Sequence, residues 1–180
     1  MSAATSAFLL LADYARRLQE NARDLPSQED MVQYWSGIGF ILDGVHYVSP
    51  IDEVAEVLSI PDYTRIPGVH PWMKGVSNVR GRLMAVMDLT VFLNKISSLK
   101  AQRRRLLVID ENDLYTGMAV DEVLGMQHFP VTDFVDQWMV DTDVAPYVQG
   151  AYAREGSYWP VFSLRLLAED PRFLQVSRAG

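Results

Sequence analysis

The chain contains an approximate copy of its own central stretch, and this repeat limits the folds open to it. The run from Trp72 to Leu93, WMKGVSNVRGRLMAVMDLTVFL, has a later counterpart, VQGAYAREGSYWPVFSLRLLA. The equivalent positions, 75 residues apart, are Gly75 and Gly150, Gly81 and Gly156, Val86 and Val161, and Leu89 and Leu164. Two copies of one unit predict two similar subdomains packed together, which a chain of 180 residues is long enough to form.

The spacing of apolar residues predicts mainly β structure from residue 34 onward. Apolar and polar side chains alternate there, and β-branched residues, aromatic residues and glycines are frequent, which is typical of short strands. Asp43-Gly44 predicts a tight hairpin turn. The expected strands are 35–42, 45–49, 54–60, 73–78, 82–88, 106–109, 114–120 and 158–162, with helical turns at 89–93 and 164–168.

A second match shows that the copies differ in length. The triplet at 121–123 repeats the Asp-Glu-Val of 52–54 at an offset of 69, which is six less than the offset of 75 between the glycines. The six additional residues are expected in the loop 127–146, where Trp138 and Met139 lie among aspartates. This loop is predicted to be either a partner surface or a long connection.

Composition excludes several classes of protein. The apolar fraction is 49% and the charged fraction 22%, which favours a packed fold over disorder. Cysteine is absent, which excludes disulfides and thiolate sites. A net charge of −7 disfavours nucleic acid as a partner. The basic cluster at 100–105 is interpreted as a solvated linker, and neither a signal peptide nor a membrane span is expected.

Residues Ser6 to Leu25 are predicted to form an amphipathic helix. Phe8, Leu11, Ala15 and Leu18 recur at helical spacing, and Pro26 limits the end of the helix. Two interpretations remain open. The helix packs on its own domain, or it docks on a partner or a membrane surface.

The sequence shows no constellation that would carry chemistry. His46, His70 and His128 are isolated from one another, and neither a nucleophile elbow nor a phosphate-binding loop is present. We therefore expect no metal and no cofactor. The acidic pairs at 52–53 and 121–122 occur once in each copy, which favours a structural role. Arg80 either locks its own turn or binds a partner's carboxylate.

The run MKGVSNVRGRLMAVMDL resembles the signature of the CheW family, the adaptor proteins of bacterial chemosensory arrays. The resemblance extends upstream through PIDEVAEV and downstream through LLVIDENDLYTGMAVDEVLGM and the second copy, from Tyr34 to about Ala168. Val79, Ala85 and Ser163 depart from the usual leucine, proline and aspartate. The N-terminal extension resembles that of the family's twitching-motility variant.

This resemblance implies a mainly β fold with two pseudo-symmetric five-stranded β-barrel subdomains and an N-terminal amphipathic helix. The expected bounds are 1–33 for the extension, about 34–96 and 97–170 for the subdomains, and 171–180 for a tail. The implied function is that of a non-enzymatic adaptor between methyl-accepting chemoreceptors and a CheA-type histidine kinase. The implied location is cytoplasmic, at the inner face of the membrane, which the adaptor reaches only indirectly through receptor arrays.

The resemblance also assigns residues that contact the receptor or the kinase. They are Val54, Glu56, Lys74, Gly75, Arg80, Val120 and Val123. An apolar floor with a charged rim is the arrangement expected of such a site. The copies diverge at Asn78-Val79-Arg80, which becomes Ala153-Arg154-Glu155, so function is expected where they differ. The alternatives are a flagellar chemotaxis adaptor, a small-molecule-binding β-barrel and a membrane-surface protein.

Overall fold

The structure is a computed structural model and describes residues 32–96, 104–111 and 114–177. The elements in chain order are β1 (Tyr34–Leu42), β2 (Val45–Pro50), β3 (Glu56–Ser59), β4 (Met73–Val79), β5 (Arg82–Asp88), α1 (Leu89–Phe92), β6 (Arg105–Glu111), β7 (Leu114–Val120), β8 (Glu122–Pro130), β9 (Phe134–Val135), β10 (Val148–Arg154), β11 (Ser157–Phe162), α2 (Leu164–Glu169) and α3 (Pro171–Leu174). Turns of 3-10 helix lie at Ile51–Glu53, Val131–Asp133 and Ala145–Tyr147.

The strands form two sheets. The larger sheet has the order β8-β1-β2-β11-β10-β9, and the smaller sheet has the order β3-β6-β7-β5-β4. Five strands of one sheet therefore correspond in order to the five strands of the other, and β9 is the addition. The predicted mainly β fold with two similar halves is confirmed. The described strands of each half form an open sheet with two edge strands and not a closed barrel.

Each sheet combines strands from both copies of the repeat. The first hairpin, β1–β2, pairs with β8 and with β11 of the second copy, whereas the hairpin β6–β7 pairs with β3 and with β5 of the first copy. The predicted subdomain boundary near residues 96 and 97 therefore does not separate the two sheets. The β2–β11 and β5–β7 pairs are parallel, and parallel neighbours require a long crossover, which the exchange of hairpins provides.

Buried apolar side chains form one central core between the sheets and one smaller core within each. The central core includes Phe40, Tyr147, Phe162 and Phe173, and Met118 contributes from β7. The larger sheet encloses a cluster of aromatic residues, and the smaller sheet encloses methionine, leucine and valine side chains. Because these interiors are filled by the protein's own side chains, they do not resemble the ligand cavity of a binding barrel.

The equivalent ends of β5 and β11 start a short helix in the same way. Asp88 accepts a hydrogen bond from the Val91 N–H at the start of α1, and Ser163 accepts one from the Leu166 N–H at the start of α2. Both are preferred N-cap residues, and they lie 75 residues apart in the repeat. The replacement of the usual aspartate by Ser163 therefore preserves the cap.

Two sequence-based boundaries differ from the structure. Residues 127–130 belong to β8, so the predicted loop is shorter than 127–146. Pro171 starts α3 instead of ending the domain, because proline lacks only an N–H that the first helical turn leaves unpaired. Phe173 in this helix is completely buried, so part of the predicted tail contributes to the core.

Residues 1–31 lie outside the described part of the chain, and they contain the predicted N-terminal helix and most of the predicted extension at 1–33. Most of the basic cluster also lies outside it. Among the helices that the structure does describe, none combines the length and the apolar character needed to cross a membrane.

Candidate partner-binding site

The turn between β4 and β5 presents Arg80 to solvent. Val79 pairs with Arg82, which leaves Arg80 and Gly81 as a two-residue loop, and both have positive φ, 52° and 83°. This is the geometry of a type I′ hairpin turn. The Asn78 side-chain oxygen accepts a hydrogen bond from the Gly81 N–H at 2.9 Å. The turn is therefore fixed by its own residues, and the Arg80 side chain, 75% exposed, is not needed to close it.

Arg80 begins a row of polar side chains across the smaller sheet. Its Nη1 lies 2.9 Å from Glu56 Oε2, and the Tyr115 hydroxyl donates to Glu56 Oε1 at 3.3 Å. The Arg82 guanidinium lies 4.2 Å above the Tyr115 ring and donates two hydrogen bonds to Asp110, at 2.5 and 2.9 Å. We call these five residues the charged row. Its members come from the turn and from β3, β5, β6 and β7.

The charges in the row reinforce one another. Hydrogen bonds from Arg82 lower the pKa of Asp110, and the same contact raises the pKa of Arg82. Burial of the Tyr115 hydroxyl raises its pKa, and the negative charge of Glu56 raises it further. Near neutral pH the row therefore holds two cations, two anions and a neutral phenol. Arg80 has donors that a single contact with Glu56 does not occupy, and these can bind a carboxylate of another protein.

A buried network of charges surrounds Asp88, at the opposite end of β5 from the Arg80 turn. Arg104 donates to both Asp88 oxygens at 2.8 and 2.7 Å, and also to the Thr90 hydroxyl and the Ala119 carbonyl. Lys74 approaches Asp88 from its more exposed side at 3.5 Å. The interpretation of Arg104 as part of a solvated linker is therefore wrong. Its guanidinium is buried because Asp88, at the end of β5, offers it two oxygens inside the fold.

The network perturbs the ionisation of Asp88. Burial opposes the charged carboxylate, but hydrogen bonds from Arg104 and Thr90 outweigh it and lower the pKa of Asp88 to about 2. Arg104 Nε lies 3.7 Å from Asp121, whose carboxylate accepts a hydrogen bond from the Asp43 N–H. Arg104 and Asp121 thus connect Asp88, at the end of β5, with Asp43 in the turn of the β1–β2 hairpin.

The three predicted apolar contacts lie against the central core. Val54 follows the 3-10 turn at Ile51–Glu53, Val123 lies on β8, and both are partly exposed. Val120 at the end of β7 has no exposed surface. Its predicted contact with a partner therefore stays a prediction. The central core covers its side chain completely, so it supports the floor from below.

Gly75 has a structural role in this structure. Its φ is 153°, and a Cβ at this position would overlap the carbonyl oxygen of Thr64, whose backbone exchanges hydrogen bonds with Val76. Gly150 is equivalent, with φ of 147° and a close approach to Phe134 and Val135. Gly75 is buried at a backbone crossing that only glycine permits, and its contact with a partner stays a prediction.

The other polar residues singled out in the sequence have local partners. His128 hydrogen-bonds Ser36, while His46 and His70 lie against Trp159 and Trp72. Glu53 accepts hydrogen bonds from the Ser163 hydroxyl and the Arg165 N–H. Across 32–96, 104–111 and 114–177, no three metal-ligating side chains come together.

Sequence reasoning missed Tyr115, Arg82 and Asp110. Arg82 and Asp110 are 28 residues apart and meet only because β5 and β6 both pair with β7. No pattern in the sequence of β5 or of β7 indicates that these two strands pair in parallel. The alternation of polar residues on these strands could have placed them on one face, but not beside Glu56.

Comparison with known proteins identifies the family. The model of the CheW-like domain matches residues 36–172, which is most of the chain and includes both sheets. The chain belongs to the CheW family. This confirms the resemblance predicted from the stretch around Arg80.

Individual relatives support the assignment. Protein PilI of Pseudomonas aeruginosa is 46% identical over 178 residues, covering 98% of this chain and 99% of PilI. PilI is the variant that the N-terminal extension resembles. Protein FrzA of Myxococcus xanthus is 30% identical over 108 residues, covering 60% of this chain and 68% of its own length. The chemotaxis protein CheW of Helicobacter pylori is 28% identical over 115 residues, covering 64% and 70%.

The fold also matches a solved member of the CheW family. The scaffolding protein TtCheW from Thermoanaerobacter tengcongensis superposes with a TM-score of 0.67 over 77% of this chain and 95% of TtCheW, at 22% sequence identity. This comparison shows the fold of the two sheets.

Proposed function

We propose that this protein is a non-enzymatic adaptor that couples methyl-accepting chemoreceptors to a CheA-type histidine kinase in a chemosensory array. The observation that supports this most strongly is the exposed Arg80, which lies at the position where the two copies diverge. Its turn has the same backbone as the turn of the second copy, where Glu155 has φ of 48°. The two turns share a backbone conformation but carry different side chains. We therefore attribute Arg80 to the binding of a partner and not to the requirements of the turn.

The site fits a partner with a carboxylate beside an apolar side chain. Arg80 and Glu56 form a half-exposed pair, so a partner carboxylate can take up the donors of Arg80 without exposing an isolated buried charge. Val54, two residues before Glu56 in the chain, supplies partly exposed apolar surface, and Lys74 adds a partly exposed cation at the opposite end of β4 from the Arg80 turn. Val123 supplies apolar surface on β8 of the larger sheet. Such an arrangement binds and orients proteins, and it offers no group poised for catalysis.

The output that we propose is type IV pilus twitching motility. The similarity to PilI extends over 98% of the chain at 46% identity, whereas the similarity to the Helicobacter pylori CheW covers 64% at 28%. An adaptor of flagellar chemotaxis would be expected to show the opposite order. The proposed location is cytoplasmic, at the inner face of the membrane, where receptor arrays hold the adaptor.

The proposal is tested by reconstitution with a chemoreceptor and a CheA-type histidine kinase from the source organism. The purified chain, the cytoplasmic fragment of the receptor and the kinase are combined, and co-sedimentation and kinase autophosphorylation are measured with and without each component. We expect ternary complexes and receptor-dependent kinase activity only when the adaptor is present. Full receptor control of the kinase without the adaptor would contradict the proposal.

We expect Val54→Asp to weaken receptor or kinase binding about tenfold, because it places a charge on the apolar floor. Binding is measured by isothermal titration calorimetry. The matched control is Val45→Asp, the same substitution at an exposed position at the start of β2. Thermal unfolding of both variants establishes that the fold persists. Unchanged affinity in a folded Val54→Asp protein would remove Val54 from the site.

A further inference from the structure

The larger sheet carries an exposed apolar surface that the proposed function does not use. Trp138 stacks on Tyr158 with ring centroids 3.8 Å apart, and both rings are more than a third exposed. Met139 beside them is 94% exposed. Tyr158 also lines a groove of about 550 Å³ together with His128, Asp133, Glu155 and Ser157. We call Trp138, Tyr158, Asp133 and Glu155 with this groove the acidic-aromatic groove.

The surface arises where the second copy is longer than the first. Thr64 bridges to Val76 in the first copy, and Val135 pairs with Ala151 at the equivalent place in the second. These pairs enclose 76 − 64 = 12 and 151 − 135 = 16 residue steps, so the second copy has four more. Trp138 and Met139 lie in this longer segment and are not buried by it, so the core does not account for them.

Charge selects the kind of partner that this surface fits. Asp133, Asp136 and Glu155 are exposed, and none of them forms an ion pair with any residue that the structure describes. Arg154 also lines the groove, but it does not form an ion pair with these carboxylates, since it donates to the Gln127 side chain at 2.7 Å and lies over the Phe129 and Trp159 rings. Anionic partners, including nucleic acid and acidic membranes, would be repelled by these carboxylates.

We propose that the acidic-aromatic groove binds a basic segment of a partner protein, in which an arginine or lysine adjoins an apolar side chain. The cation lies between Asp133 and Glu155 and against the Tyr158 ring, and the apolar neighbour covers Trp138. Carboxylates and an aromatic face together bind arginine better than either does alone. This site is on the larger sheet, whereas the charged row is on the smaller sheet. Binding at this site is a function additional to the coupling function proposed above.

The test uses a fluorescein-labelled peptide, GRLGRLG, and a matched peptide in which citrulline replaces arginine. Citrulline keeps the shape of arginine but has no charge. Fluorescence anisotropy is measured with the full chain in 50 mM and 300 mM salt. We expect the arginine peptide to bind about fivefold more tightly at low salt, and this difference to shrink at high salt.

Variants locate the binding on the surface. Asp133→Asn combined with Glu155→Gln should abolish the preference for arginine, and Tyr158→Ala should weaken the binding of both peptides. Glu122→Gln combined with Glu169→Gln removes two exposed carboxylates elsewhere and should leave the preference unchanged. Arg80→Ala should also bind the peptides as the wild type does, which separates this test from the proposed coupling function.

Three outcomes would overturn the proposal. The first is equal affinity for the arginine and citrulline peptides. The second is an arginine preference that survives the double variant at Asp133 and Glu155. The third is self-association in analytical ultracentrifugation that depends on these two residues and excludes the peptide, because a second copy of the chain would then be the occupant.

Discussion

Replacing Arg104 with methionine should lower the free energy of unfolding by about 3 to 5 kcal/mol, because it leaves the buried Asp88 carboxylate without its cation. Asp88 accepts two hydrogen bonds from Arg104 and one from the Thr90 hydroxyl. Without Arg104, Lys74, at 3.5 Å and partly exposed, is the one remaining cation near it among the described residues. The methylene groups of methionine replace most of the packing of the arginine side chain. The fall in the free energy of unfolding therefore comes mainly from the unpaired Asp88 carboxylate and not from lost packing.

Urea denaturation followed by tryptophan fluorescence measures this effect. The matched control is Arg82→Met, which removes the exposed ion pair with Asp110 and should change the denaturation midpoint little. Replacing both Arg104 and Asp88 with apolar residues should recover part of the lost stability. If Arg104→Met unfolds at the same urea concentration as Arg82→Met, the buried network does not stabilise the fold.

The same network predicts how stability depends on acid. The pKa of Asp88 is about 2 in the folded chain, below the value of about 3.9 expected in the unfolded chain. A lowered folded-state pKa gives stability that is fully present above about pH 4 and is lost as the pH falls toward 2. Asp170, also at about 2, adds to this loss, so Asp88→Asn should flatten the pH dependence without removing it.

Gly75→Ala should destabilise the fold by more than about 3 kcal/mol, because the new Cβ both overlaps the Thr64 carbonyl and requires a φ that alanine rarely adopts. The obstacle is backbone, and its hydrogen bonds with Val76 prevent it from moving aside. The measurement is thermal unfolding by circular dichroism.

Gly81→Ala is the matched control for this substitution. Gly81 also has positive φ, but a Cβ there would meet open space. Its cost should therefore be only about 1 kcal/mol, from the backbone strain alone. Equal losses for the two variants would show that the close approach to Thr64 contributes nothing to stability.

The repeat made the two similar sheets predictable, because equivalent glycines and equivalent helix caps recur at one offset. Gly75 and Gly150 share nearly the same φ, as do Arg80 and Glu155. The repeat by itself does not predict the exchange of hairpins between the copies, since a strand pairs equally well with either copy when both carry the same pattern. The predicted boundary at residues 96 and 97 stays a prediction.

The sequence predicted the parts of the candidate site that lie in motifs of the family, and it did not predict the contacts between distant strands. The Arg80 turn and Glu56 followed from the family resemblance, whereas Tyr115 and Asp110 depend on pairing between distant strands. Arg104 was misread because its neighbours at 103 and 105 are basic, and a run of basic residues is usually solvated. A single buried carboxylate, Asp88, reverses that expectation.

We infer that Arg80 itself contacts a partner and does more than pair with Glu56. Arg80→Glu and a charge swap, Arg80→Glu with Glu56→Arg, are compared in the reconstituted array by receptor-dependent kinase autophosphorylation. The swap restores the ion pair and should unfold as the wild type does. We predict that both variants lose most of the receptor control of the kinase. Restoration of wild-type control by the swap would contradict the claim, because the ion pair alone would then suffice.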